Sequence, residues 1–349
     1  MEQRNTNVTE TPGASVKTWH APPRAAVGSA STDAEEHVWV VVLAGGSGTR
    51  LQQFIRTVMG TDRPKQFCRI VGTRSMLRHT WDRARRIASC DRCVTVITAG
   101  QERHLDEETA QGVPGRVLVQ PANKETAPGL LLPLLWIAER DPSATVVVFP
   151  SDHFIWEEGR FLERVMGAVS VTHVLTDKLV IVGVEADGPE QGYGWIGPAH
   201  PMIALPSVEL YRVHSFWEKP DRSTAGRLYD QGYLWNTLVL IGRVDAFLRL
   251  MEQSVPEIMR PLQDAVGHLD GPKGSGALVR AYQQIRPTNL SYQLLARRSD
   301  ALAVLAARHV YWSDWGDPHR VLRALIRFDR RPSWLPAYAR ALMQGADVL

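Results

Sequence analysis

The stretch from Val38 to Phe67, VWVVVLAGGSGTRLQQFIRTVMGTDRPKQF, constrains the fold more than any other part of the chain. Its opening run of apolar, largely β-branched residues, Val38 to Leu43, suits a strand buried on both faces. Ala44-Gly45-Gly46-Ser47-Gly48 follows, small residues that let backbone approach a ligand and take positive φ without a Cβ clash. Thr49 is placed to cap a helix whose free N–H groups and dipole favour an anion. Arg50 sits where a guanidinium can fork onto phosphate oxygens. Strand, glycine turn and cation together describe a phosphate cradle. Two familiar cradles are excluded by spacing: a P-loop ends in Gly-Lys-Ser/Thr, whereas Gly48 is followed by Thr49-Arg50, and a dinucleotide fingerprint needs a third glycine where Leu51 stands. The glycines alone would also fit an ordinary strand-to-helix turn, so the rest of the chain has to decide.

A chain of 349 residues with 44% hydrophobic and 22% charged residues has room for one large α/β domain. Its net charge of +3 suits small anionic substrates, and without a long basic run nucleic acid is not an expected partner. No apolar run approaches the length of a membrane span, so no membrane partner is expected either. Residues 1–36 are rich in Thr, Pro, Ser, Ala and Glu and lack the apolar core of a signal peptide; they read as a disordered tail on a cytoplasmic protein. Cys90 and Cys93 form a C-x-x-C, but no second pair completes a zinc site and the motif precedes a strand instead of opening a redox helix.

Strand and helix patterns then alternate. Ser75 to Ala88 fits a helix with Met76, Leu77, Trp81, Ala84 and Ile87 on one face and Arg74, Arg78, Arg83, Arg85 and Arg86 mostly on a solvated one. Strands are expected at Val94 to Thr98, Arg116 to Val119, Thr145 to Phe149, Leu179 to Val184, Tyr211 to Trp217, Leu238 to Ile241 and Leu302 to Val310. Helices are expected at Leu130 to Arg140, kinked or delayed by Pro133, at Arg222 to Gln231, between Val244 and Ile285, and after Asp317-Pro318. The alternation implies βαβ units in an α/β fold with a mostly parallel mixed sheet flanked by helices. Ligands of such sheets gather at the carboxyl ends of strands, where the glycine turn and Ser151-Asp152-His153 both fall. Residues 37–349 read as one continuous Rossmann-like domain. A nucleotide-binding part, 37–177, precedes a part, 178–349, with an inserted sugar-binding lobe and a helical C-terminal segment.

Six motifs occur in order: LAGGSGTRL with RPKQF, then PSDH, GYGWI, FWEKPD, YLWNT and WSDWG. Together they resemble the sugar-1-phosphate nucleotidylyltransferases, and PKQF points to the mannose-1-phosphate guanylyltransferase branch. The resemblance implies transfer of a nucleotidyl group to a sugar 1-phosphate with release of pyrophosphate, GTP and mannose 1-phosphate giving GDP-mannose, with Mg2+ as cofactor; a homo-oligomer is compatible with it. Catalytic roles pass to Arg50, Lys65, Asp152 and Asp314, the two aspartates also being the metal ligands. The nucleotide would meet Leu43, Ala44, Gly45, Gly46, Ser47, Gly48, Thr49, Gln66, Gln120, Asn123, Thr126 and Pro128. The sugar phosphate would meet Gly192, Tyr193, Gly194, Glu218, Lys219 and Asn236. Trp195, Trp217 and Trp235 read as core.

The chemistry stands without the name. A sugar phosphate has a second pKa of about 6 and is largely dianionic at neutral pH, so its oxygen needs neither a general base nor a protein nucleophile. It needs to be held in line with an α-phosphorus while cations and a divalent metal screen the two anions. The sequence also departs from the pattern. Lys124-Glu125 stands where many relatives have Arg-Asn, and Asn289-Leu290-Ser291-Tyr292 where they read Ser-Ile-Asp-Tyr. Gln52 and Gln53 follow Leu51, and Thr237 follows Asn236. Base and sugar therefore stay open: another sugar or cyclitol phosphate, another nucleotide, or a non-catalytic nucleotide-sugar-binding regulator on the same fold.

Overall fold

A computed structural model of the chain describes residues 37–108, 112–205 and 208–343. The expected tail, residues 1–36, lies outside the described residues.

Eleven strands are present: β1 (Val38–Leu43), β2 (Cys93–Thr98), β3 (Arg116–Gln120), β4 (Thr145–Pro150), β5 (Phe154–Ile155), β6 (Leu179–Glu185), β7 (Gly194–Leu205), β8 (Val208–Glu218), β9 (Leu234–Arg243), β10 (Leu302–Ala307) and β11 (Trp312–Ser313). Nine of them form one sheet in the order β3-β2-β1-β4-β9-β6-β10-β8-β7, and β5 pairs with β11 in a small ribbon beside it. The block β3-β2-β1-β4 is parallel throughout. β9 enters antiparallel between β4 and β6, β10 lies parallel to β6, and β8 and β7 complete the edge antiparallel. Apart from β8 and β9, every strand of the large sheet runs the same way, which is the mostly parallel mixed sheet the alternation predicts.

The reason β1 is central is visible in its side chains. Val38, Val40 and Val42 enter one apolar layer with Trp81, Phe149 and Phe161, while Trp39 and Val41 enter the other with Leu131 and Trp136. A strand covered on both faces has no polar side to spare, hence VWVVVL. A third apolar cluster pins the helix Gln52–Met59 to the C-terminal helices through Phe54, Trp334 and Tyr338.

Several expectations need correction. Thr49 caps nothing: Gly48 takes the left-handed turn at φ 63, a short 3-10 turn Thr49–Leu51 follows, and the helix begins only at Gln52 without a side-chain cap. Pro133 does not delay its helix, which runs from Thr126 to Ala138. That helix is buried from Ala127 to Ile137, so packing on all sides outweighs the one backbone donor Pro133 removes. Arg78 and Arg83 are buried, not solvated. Arg78 donates to the Gly112 carbonyl (2.9 Å) and to that of Glu108; Arg83 pairs with Glu158 (2.7 Å) and Thr80 (2.7 Å). Trp195 and Trp235 are core, but Trp217 is 45% exposed because strand alternation turns Phe216 inward in its place. The helix Met76–Ala84 stops short of Ala88, and β10 ends at Ala307, three residues before Val310. The first helical turn after Asp317 forms as expected, with the Asp317 carboxylate accepting from Arg320 N (3.0 Å). Cys90 and Cys93 are both free, and burial pushes the Cys93 thiol up to about 12, which keeps that thiol protonated at neutral pH.

Candidate active site

The glycine loop leaves β1 with its carbonyls turned back into the protein. Gln66 Nε2 donates to the carbonyls of Ala44 (2.6 Å) and Gly46 (2.8 Å), Thr98 Oγ1 to that of Gly45 (2.8 Å), and Gln101 Nε2 to that of Gly46 (3.0 Å). The amides of Gly45, Gly46, Ser47 and Gly48 meet no protein acceptor among the described residues. An anion can therefore be held by loop N–H groups, not by a helix terminus. A cavity of about 340 Å³ opens in front of them, walled by Leu43, Gly45, Gly46, Ser47, Gln120, Asn123, Glu125, Thr126, Asp152 and Leu238 among others. A side chain at Gly45 would lie 2.3 Å from Gln120 Nε2, and one at Gly48 3.0 Å from Lys65 N in addition to its positive φ. Ala44 and Pro128 are buried in the scaffold; Thr126 and Gly129 are the parts of that helix that reach the cavity.

Lys65 is the node of the site. Its side chain is 5% exposed, and Nζ lies 2.8 Å from Asp152 Oδ2. The same ammonium donates to the carbonyls of Asp314 and Trp315, the latter at 3.3 Å. Trp315 adopts φ 44, which turns these consecutive carbonyls inward, and its ring is fixed by stacking on Phe154 at 4.5 Å. Burial alone would push the Asp152 carboxyl up, yet Lys65 and then His153 hold it below the ordinary carboxylate range. Burial acts likewise on Asp314, and Lys65 with Arg320 overrides it in the same direction. Both aspartates are thus ionised at neutral pH. Arg50 is different: 62% exposed and 3.5 Å from Asp314 Oδ2, it is free to swing toward an incoming phosphate.

The ends of β7, β8 and β9 bring the remaining candidates together. Gly194 pairs with Glu218 across β7 and β8, and a side chain at Gly194 would meet Glu218 Oε2 (2.9 Å) and Asn236 Cβ (3.1 Å). Leu238 at φ 56, with the register shift between β6 and β9, turns Asn236 Oδ1 onto Leu238 N (2.8 Å) and exposes Leu238 to the cavity. Burial raises the Glu218 carboxyl above its ordinary value, against Lys219 and Ser291. Lys219 Nζ stands 3.9 Å from Glu218 and is half-exposed, and Lys219 N bonds the Tyr193 carbonyl (3.1 Å). Tyr193 OH meets Ser313 Oγ (3.1 Å), tying this lobe to β11.

A family model described as nucleotidyl transferase matches residues 39–328. The chain belongs to the nucleotidyl transferase family. Among curated relatives it is 30% identical over 284 residues to the xanthan biosynthesis protein XanB of Xanthomonas campestris pv. campestris (strain B100), covering 79% of this chain and 57% of that protein. It is 28% identical over 295 residues to a mannose-1-phosphate guanylyltransferase of Escherichia coli (strain K12), covering 81% and 59%. This nucleotidyl transferase chain thus spans less than two thirds of the length of those relatives. Its fold is similar to the crystal structure of a mannose-1-phosphate geranyltransferase from Thermus thermophilus, with TM-score 0.68 at 23% identity over 85% of this chain and 80% of that one.

Sequence reasoning misses the residue that carries most ion pairs among the described residues of this nucleotidyl transferase. Arg320, 8% exposed, binds Asp314 Oδ1 (2.8 Å), Glu190 Oε1 (2.9 Å) and Asp317 Oδ2 (3.1 Å), and lies over the Tyr193 ring at 4.2 Å. The room a side chain at Gly192 would need is filled by this guanidinium, 2.0 Å away. Position i+3 from the helix-capping Asp317 is the one sequence signal that marks Arg320. His153, to which the sequence assigns no role, sits behind Asp152 (Nε2 to Oδ1 3.7 Å) and accepts from Trp312 Nε1 (3.3 Å). Burial pushes its imidazole down to about 4, so it stays neutral at physiological pH.

Among the described residues no three His, Cys, Asp or Glu side chains converge as a metal site. Asp152 lies on the cavity wall against Lys65, whose ammonium also holds the Asp314 carbonyl; two carboxylates of this kind would fit magnesium if substrate phosphates completed its shell.

Proposed function

We propose that this chain transfers a guanylyl group from GTP to mannose 1-phosphate, forming GDP-mannose and pyrophosphate. The observation that carries the reading is Lys65, a buried ammonium that joins the end of β4 to Asp314, 249 positions beyond Lys65 itself, directly beside an amide-lined loop. Such a centre gathers an ammonium, two carboxylates and loop N–H groups around the cavity. It suits a reaction in which the nucleophile arrives already ionised. A mannose phosphate oxygen attacks the α-phosphorus, the new P–O bond forms, and the bond to the bridging oxygen breaks as pyrophosphate leaves with its electrons.

The loop amides would bind the triphosphate, Lys65 would offset charge at the reacting phosphorus, and Arg50 would close on the departing phosphates. Glu218 and Asn236 would accept and donate to sugar hydroxyls, and Lys219 would hold the sugar phosphate. Asp152 and Asp314 are the residues that would hold Mg2+, which when bound screens repulsion between the two anionic substrates. The names of curated relatives support the choice of mannose and guanine. The test is pyrophosphate release across a panel of nucleoside triphosphates and sugar 1-phosphates, with and without magnesium. GTP with mannose 1-phosphate should be the best pair; a clear win for UTP or dTTP with glucose 1-phosphate would overturn the substrates and leave the reaction, and tight nucleotide-sugar binding without turnover would overturn the reaction.

A further inference from the structure

We infer that Glu125 reads the base edge and makes this site select a purine carrying both an N–H and a neighbouring amino group, an inference that rests on the guanylyl reading above. Glu125 stands on the wall of the 340 Å³ cavity with Gly45, Gly46, Gln120 and Asn123. One carboxylate oxygen, Oε2, accepts from Asn289 Nδ2 at 3.3 Å; Oε1 has no protein partner among the described residues. The backbone there is at φ 71, ψ −171, a conformation that glycine alone adopts freely. It is kept in place from both sides. Glu125 N donates to Asn123 Oδ1 (2.9 Å), Thr288 N to the Lys124 carbonyl (3.0 Å), and Leu290 N to Thr126 Oγ1 (2.8 Å).

Two of the places where the sequence departs from the resembling pattern, Glu125 for Asn and Asn289 for Ser, are therefore in contact. A new carboxylate has come with an amide that orients it. Gln120 is oriented away from that role, its Nε2 donating to Thr98 Oγ1 (2.9 Å) and its Oε1 accepting from Tyr282 OH (3.1 Å). The Asn123 side-chain amide, in contrast, has a free donor beside the carboxylate, since only its oxygen is used.

An acceptor-only fork next to a donor matches guanine, whose N1–H and 2-amino group lie side by side next to O6. Adenine and cytosine would turn a ring-nitrogen lone pair toward the carboxylate, a repulsive pairing that works against them. Hypoxanthine and uracil offer an N–H without the adjacent amine.

The test is equilibrium binding of GTP, ITP and ATP to the full chain and to Glu125→Gln and Glu125→Gly, with melting curves to confirm folding. Wild type should prefer GTP over ITP by about 10-fold, the scale of a hydrogen bond to a charged, partly exposed acceptor. Both variants should bring that ratio close to one, and Glu125→Gln should bind ATP more tightly than wild type does. Glycine fits the backbone conformation, so Glu125→Gly keeps the test valid even if glutamine disturbs the loop. A GTP-to-ITP ratio unchanged in either folded variant, or a wild type indifferent to the 2-amino group, overturns the inference while turnover of GTP with mannose 1-phosphate keeps the guanylyl reading. Discrimination that depends on Glu125 without any such turnover supports the inference and sinks the mannose reading. A wild type that binds ATP more tightly than GTP overturns both.

Discussion

The two walls of the site are made of different materials. On the parallel side, β1 to β4, the cavity is lined by backbone, and the loop is tensioned by neutral groups: Gln66, Thr98 and Gln101 on its carbonyls. On the mixed side, charge does the holding. Arg320 gathers Asp314, Glu190 and Asp317, and Glu218 is buried against Lys219 and Ser291. The difference follows from what each wall would meet. A triphosphate is gripped by many N–H groups in one fixed shape, which neutral anchors supply without adding like charge. On the proposed reading the other side would orient sugar hydroxyls and a second anion, and it keeps its own carboxylates and cations in balance. Lys65 stands at the seam and belongs to both.

The largest effect should come at that seam. Asp314→Asn keeps shape and removes charge; it should fold, bind nucleotide and lose at least ~100-fold in kcat, the scale of one strong electrostatic contact. Asp152→Asn should behave alike, and the double variant should lose far less than the product of the two, since both act around one centre. Steady-state rates over a magnesium titration measure this, and near-normal turnover of Asp314→Asn at limiting magnesium would remove Asp314 from the chemistry.

Next in size is the charged wall. Arg320→Met leaves Asp314, Glu190 and Asp317 without their shared cation, and urea unfolding should show a loss of about 3 kcal/mol. A loss below a third of that would mean the cluster is wetter than its exposure indicates. On the neutral wall, Gln66→Ala strands the Ala44 carbonyl and leaves that of Gly46 with Gln101 alone. About 1–2 kcal/mol of stability should go, with KM for the nucleotide raised more than kcat is lowered. Equal stability losses for Arg320→Met and Gln66→Ala would erase the contrast between the walls.

The smallest effect has the opposite sign. Burial raises the Glu218 carboxyl above 4.5, so the folded protein holds that proton more tightly than the unfolded chain. Its stabilising contribution is complete below 4.5 and is lost as pH rises through the raised value. Glu218→Gln should therefore melt about 1–2 °C higher than wild type at pH 8 and at the same temperature near pH 4, while turning over sugar phosphate poorly. A variant that melts lower at pH 8 would show that the carboxylate is satisfied where it lies.

How much of this the sequence could say depends on whether the cause was local. β1 and its loop are legible because a β-branched run and small residues act through their own backbone. The Asp317-Pro318 helix start is legible for the same reason. Thr49 is not, because a positive φ at Gly48 and an intervening 3-10 turn move the helix start by two residues. Arg78 and Arg83 looked solvated because arginine usually is; their acceptors, the Glu108 and Gly112 carbonyls and Glu158, lie far along the chain. Arg320 was hidden similarly, since Glu190 is 130 positions away. Trp217 was readable after all, from plain strand alternation with Phe216.

The reach of Lys65 has a consequence in time. Its contacts with Asp314 and Trp315 close a loop of about 250 residues, among the most distant pairings in the described chain. During synthesis, the glycine loop and β1 to β4 emerge and can associate long before residue 314 leaves the ribosome. Through that interval the cradle exists but its cation has only Asp152 to hold it. On the reading proposed above, the nascent chain would hold its anion-binding loop well before the segment at Asp314 could close on Lys65.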